Sequence, residues 1–342
     1  MRPSLVRGIA ASTEAENVRI EWARNGGIVT LLVLGVLTGV ITPAQTAINA
    51  RLRTAVGTPF RASLVSFTVG LTATTIAALV LGPYPLVPES ALRGPWWMWF
   101  AGLFGVIFMT GNILLLPKLG SLQTVLMPVL GQILMGLLID QFGWFGSARH
   151  PMTAMRAGGL ILAVIGVLAA IVAANTTVIR ATSGASPDHT AAGATIWLWR
   201  GLGVACGMSS AVQTASLGRL GTALGSPIKA SVVSFAVGFL ALLLVVLLHD
   251  RGFGLKSAAH GGNPRWMWCG GLLGATVVLS TSWLSPQLGT GLTVLLVLIG
   301  QVTGGLLVDR FGWFGAARRR ITALQIVGVA VAIAGIALIR LS

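Results

Sequence analysis

The chain alternates between long apolar runs and short polar breaks. A helix that crosses the hydrocarbon of a bilayer needs about 20 mostly apolar residues. Runs that meet this need lie near 27–48, 61–82, 96–116, 121–141 and 153–174, and again near 196–217, 228–249, 265–285, 290–309 and 321–340. The breaks carry Pro, Gly or charge: Arg51-Leu52-Arg53 with Thr58-Pro59, Gly82-Pro83-Tyr84-Pro85, and Gly120-Ser121. This pattern predicts an all-α polytopic membrane protein of about ten transmembrane helices. Residues 1–26 are polar and of mixed charge, and are expected to form a tail. Residues 175–194 are small and polar, hold no further span, and read as a linker. Two five-helix units, 27–174 and 195–342, remain.

Those units are copies of one another. GQILMGLLIDQFGWFG at 131–146 returns as GQVTGGLLVDRFGWFG at 300–315, with eleven of sixteen positions identical. Gln45 aligns with Gln213, and Ser66-Phe67-x-x-Gly70 with Ser234-Phe235-x-x-Gly238, at an offset of 168. Beyond residue 90 the offset is 169, pairing Trp97-Met98-Trp99 with Trp266-Met267-Trp268 and Pro117-x-x-Gly120 with Pro286-x-x-Gly289. Such a period marks a duplicated structural unit. Five spans per unit is an odd number, so a linker that does not span leaves the second unit inverted. Inverted repeats are a common basis of alternating access, with a site near the midplane between the halves.

Composition narrows the function classes. Only 9% of residues are charged and 55% are apolar, while a soluble domain carries about a quarter charged. The net charge of +15 lies in connections between apolar runs, where basic residues meet anionic lipid headgroups. No aromatic–basic module accompanies it, so no nucleic-acid partner is expected. Lys and Arg divide almost evenly between the two sides, and positive-inside counting sets no orientation. Cys206 and Cys269 lack ligand spacing and read as small buried hydrophobes. His150, His189, His249 and His260 lie in loops or at span ends, and no Ser-His-acid set, Walker loop or paired carboxylate occurs. No metal, cofactor or catalytic role is expected.

Polar side chains inside the spans are the informative ones, because hydrocarbon penalises them unless they are paired. Gln45 and Asn49 share one face of the first helix, with Thr42 and Pro43 just before them; the second unit keeps Gln213 but has Leu217 in place of Asn49. Gln132 and Gln301 each follow a Gly deep in the fourth and ninth spans, and Asn112 aligns with Thr281. These amides either line a site for a polar solute or tie helices together by hydrogen bonds. Asp140 and Asp309 each end a helix, where the macrodipole disfavours an anion and a partner is required. Arg149 and Arg318 lie nine residues downstream, across the FGWFG turn, and are expected to clasp these carboxylates; a coupling carboxylate is the alternative. The FGWFG aromatics and Trp96-Trp97-x-Trp99 suit an interfacial belt.

The order Gln45-x-x-x-Asn49, Ser66-Phe67-x-x-Gly70, Pro117-x-x-Gly120, Gly131-Gln132 and Asp140-x-Phe142-Gly143-x-Phe145-Gly146 resembles the YdcZ-like (DUF606) family of the drug/metabolite transporter superfamily. The resemblance covers nearly everything except the tail and linker. Its usual member is half as long, so this chain looks like a fused tandem pair. It implies a multi-pass protein of the bacterial cytoplasmic (inner) membrane, an exporter role and the ten-helix inverted-repeat fold. Small multidrug members of the superfamily rely on a glutamate in the first helix. Gln45 and Gln213 are the nearest groups here, so neither first helix offers an anion for a lipophilic cation. The sequence thus leads to a transporter of a small polar metabolite, with both repeats in one chain and a monomer expected. A membrane scaffold is the rival reading.

Overall fold

Hydrocarbon offers backbone amides no partner, so each spanning segment must satisfy its own as helix. The computed structural model of the chain describes residues 3–81, 89–147, 149–181, 189–250, 252–254, 262–288, 290–316, 318 and 321–341. Helix α1 spans Pro3–Val56, so the polar opening stretch is helical and continuous with the first span. Helix α2 is Pro59–Leu81, and a 3-10 turn at Trp96–Phe100 leads into α3, Ala101–Phe142. Next come α4 (Ala154–Ala181), α5 (His189–Leu224) and α6 (Pro227–Val245), the last ending in a π turn at Val246–Asp250. A 3-10 turn at Arg265–Cys269 precedes α7 (Gly270–Leu288), followed by α8 (Thr290–Phe311) and α9 (Ala323–Leu341). The break at Gly82–Pro85, the centre of the linker, His260, Gly289 and Arg319–Arg320 lie outside the described residues.

Helix α3 is two spans. At Gly120 the backbone takes φ 78° and ψ 169°, a region open to glycine and costly for other residues. The helix divides there into α3a (101–119) and α3b (121–142), which gives the first repeat five helices, as in the second. Gly27–Val56, Pro59–Leu81, Trp96–Phe142 and Pro227–Asp250 are each long and apolar enough to cross a membrane, and Ala154–Ala170 and Ala323–Ile339 are shorter apolar helices.

The contacts reveal the relation between the repeats. Helices α2 and α6 are equivalent by sequence, and they cross antiparallel: Phe67 lies over Gly238 while Phe235 lies over Gly70. Their rings meet edge to face at 5.3 Å, an arrangement worth about 1 kcal/mol beyond its area. Helices α4 and α9 are likewise equivalent and antiparallel, with Gly159 against Gly335 and Gly166 against Gly328. Equivalent helices that run in opposite senses make the repeat inverted.

The first helix of each repeat docks on the fourth of the other. Gly35 and Gly39 of α1 meet Leu296, Val297 and Gly300 of α8; Gly203 and Gly207 of α5 meet Met127 and Pro128 of α3b. Small residues let backbones approach where no hydrophobic force separates helix from lipid. The largest core cluster joins Leu115, Leu126 and Val129 to Val167 of α4, Val302 of α8 and Ile336 of α9.

Candidate functional site

Two equivalent seams place the polar residues. On α1, Thr42, Gln45, Asn49 and Leu52 recur at helical spacing and share a face. That face runs along α7, with Gln45 against Gly274 and Asn49 against Gly270. On α5, Gln213 lies in the same way against Gly105 of α3a. The two glutamines expected from the sequence therefore sit on equivalent surfaces between the repeats, each half-buried.

The other amides are less symmetric. Gln132 Nε2 donates to Ser210 Oγ at 3.3 Å, joining α3b to α5. The aligned pair is Gln301 and Thr42. Gln301 is buried, yet Thr42 Oγ1 has no partner among the described residues. Asn49 is 1% exposed, and neither its Nδ2 nor its Oδ1 finds a partner among those residues. Ser66 Oγ and Asn112 Oδ1 are likewise buried and unbonded there. Pro43 lies within α1 without breaking it and leaves the Gly39 carbonyl without its donor four residues on.

The carboxylates depart from expectation in their partners. Asp140 pairs with Arg156 at the start of α4, at 3.6 Å, rather than with Arg149. Asp309 is 5% exposed and accepts from the backbone N–H of Ser121 at 3.1 Å and of Leu122 at 2.9 Å. These are the first amides after the Gly120 break, so Asp309 caps the positive end of α3b from the opposite repeat. Arg149 and Arg318 do close their turns, but on carbonyls: Arg149 Nε donates to Gln141 O at 3.1 Å, and Arg318 Nε to Arg310 O at 3.2 Å. The reason is local. A helix C-terminus presents unsatisfied carbonyls that a nearby guanidinium can meet, while the carboxylate one residue earlier points into the bundle.

Within each FGWFG turn, Phe145 and Phe314 adopt left-handed φ values of 59° and 57° between glycines of positive φ. Phe145 meets Trp97 at 5.2 Å and Phe314 meets Trp266 at 5.5 Å, so each repeat clasps its own turn. Phe142 stacks on Trp144, and Phe311 on Trp313, on exposed surface suited to the headgroup region.

Two features escaped the sequence reading. Arg200, 4% exposed, donates from Nε to Gln123 Oε1 at 3.2 Å and stacks 4.6 Å from the Trp197 ring. Arg61 meets Asp250 at 3.6 Å and donates to its carbonyl at 2.8 Å, while Thr58 Oγ1 donates to the same carboxylate. A charge inside a predicted span was the available signal for Arg200, and a charge at a span's end for Asp250. Cys206 is buried as expected, whereas Cys269 is exposed.

Comparison with known proteins places this geometry. No curated protein matches the chain. A solved structure, described only as the crystal structure of a protein, overlays with a TM-score of 0.53 at 17% identity, covering 89% of this chain and 95% of that one. That likeness speaks for the fold. The sequence profile of the family described as "Putative inner membrane exporter, YdcZ" matches twice, over residues 30–169 and 198–338. The two matches fall on the two inverted repeats, and the chain belongs to this YdcZ family as a multi-pass inner-membrane protein with two family units in one polypeptide.

Proposed function

We propose that the protein moves a small polar metabolite across the inner membrane by alternating access, the two inverted repeats rocking against each other. One observation carries this reading: Gln45 and Gln213 occupy equivalent places on the seams between the repeats, each facing a glycine of the other unit. Relative motion of the halves along these seams exposes one set of polar groups and then the other. Gln45, Asn49, Asn112, Gln132, Gln213 and Gln301 are the solute-contacting set, and Asp140 and Asp309 serve as structural or coupling carboxylates. Asp309 does so by holding α3b of the first repeat from α8 of the second. The chain works as a monomer, since both halves are present, and performs no covalent chemistry.

Untargeted metabolite profiling of cells and medium tests this. Overexpression and deletion are compared with Gln132→Ala plus Gln301→Ala at matched membrane levels. A solute that redistributes with the wild type and not with the inserted double variant supports transport. If no solute moves under any growth condition, the polar residues are helix glue and the protein is a scaffold.

A further inference from the structure

The two seams end in junctions built from the same parts. Around α1, Leu52 and Val56 pack with Ala62 of α2, Ile113 of α3a and Met267. Around α5, Leu220 and Leu224 pack with Ala230 of α6, Ala91 and Met98. One turn nearer the midplane the aligned residues diverge. Leu217 packs against its apolar cluster, whereas Asn49 brings a carboxamide with both polar atoms buried and unbonded among the described residues.

The surroundings diverge with it. Gly270 stands against Asn49 where the sequence alignment has Ala101, and a Cβ on Gly270 would strike Asn49 Oδ1. Gly271 lies against the Ser66 carbonyl as its aligned Gly102 lies against that of Ser234, whereas Ser66 Oγ and Asn112 Oδ1 add orphaned atoms from α2 and α3a. Arg53, one turn beyond Asn49 on the same face, donates from Nη1 to Ile113 O at 3.3 Å; its aligned residue is Gly221. Groups that merely tied helices together would find each other, as Ser63 of α2 and Thr110 of α3a do at 2.8 Å. Asn49, Ser66 and Asn112 instead leave buried polar atoms unbonded among the described residues on three helices of one junction, α1, α2 and α3a, and a polar ligand between these helices would satisfy them.

We infer that this junction is the solute site, closed in this structure by Gly270–Gly271, and that it takes a small solute with hydroxyl or amide groups and an anionic end directed at Arg53. The inference rests on the transport reading above. Withdrawal of α7 from α1 and α2 opens the site. The bare glycine backbone leaves no side chain in the way, and Asn49, Ser66 and Asn112 then exchange solute for the α7 backbone. The second junction offers Leu217 where the first has this carboxamide, and takes no solute.

Thiol labelling in membranes opened to both sides tests this with defined probes. In a background carrying Cys206→Ala and Cys269→Ala, Asn49→Cys is compared with Leu217→Cys. The reagents are a sulfonate and a quaternary-ammonium methanethiosulfonate. Asn49→Cys is expected to react roughly tenfold faster than Leu217→Cys and to favour the sulfonate, a preference that Arg53→Gln lowers by roughly tenfold. Equal rates at the two positions, or a reagent preference untouched by Arg53→Gln, would overturn the assignment. Should Asn49→Cys fail to reach the membrane, Asn112→Cys against Thr281→Cys gives the same contrast. Solute movement with equal labelling refutes the site and leaves transport standing. Asymmetric labelling without solute movement refutes transport.

Discussion

The junction around Asn49 and the junction around Leu217 occupy equivalent places in an inverted pair, and they differ at the aligned residue itself, a carboxamide in the first and a leucine side chain in the second. A buried polar atom without a partner costs about 1–3 kcal/mol, and Asn49 carries two of them at 1% exposure. Leu217 in the aligned position packs on an apolar cluster. On the inference drawn above, the first junction serves the solute and the second supports the fold.

Swapping residues between the junctions is the sharpest way to break this comparison. Leu217→Asn puts an unmatched carboxamide into an apolar cluster and is expected to cost about 3 kcal/mol, read as a fall in thermal midpoint of the detergent-purified protein. Asp309→Asn removes a charge-assisted cap from α3b, on the face where α1 and α8 both end; about 2 kcal/mol is expected. Asp140→Asn, which touches a more exposed pair with Arg156 at 3.6 Å, should cost under about 1 kcal/mol by the same assay. Asn49→Leu copies the second repeat and is expected to raise stability by about 1 kcal/mol. The smallest effect lies where α3b meets α5. A double-mutant cycle on Gln132 and Ser210 should give a coupling of about 0.6 kcal/mol, as for hydrogen bonds between membrane helices. The aligned Gln301 and Thr42 should give none.

Much of this architecture is legible in the sequence, for physical reasons. Hydrocarbon allows few spanning structures, so apolar runs translate directly into helices. The odd number of runs per copy then dictates inversion, and the antiparallel crossing of α2 with α6 agrees. Ser66-Phe67-x-x-Gly70 recurs because it is self-complementary: each Phe needs the other copy's Gly. The partners of the carboxylates were not legible. Asp309 is capped by amides 187 and 188 residues away in sequence, and no local spacing encodes such a contact. The proximity of Arg149 and Arg318 in sequence pointed to the wrong acceptor, because a helix end offers carbonyls as well as side chains. Arg200 was passed over inside an apolar run, although its guanidinium is held by Gln123 and Trp197. Nor does sequence tell a bonded amide from an orphaned one. Gln132 and Asn49 look alike until Ser210 is seen beside the first.

The central claim is that Asn49 is retained for a solute at the expense of the fold. It is tested most directly by measuring thermal midpoint and solute redistribution on the same expressed Asn49→Leu protein. The account predicts a higher midpoint together with loss of redistribution at a wild-type membrane level. A lower midpoint, or a higher one with redistribution intact, would contradict it.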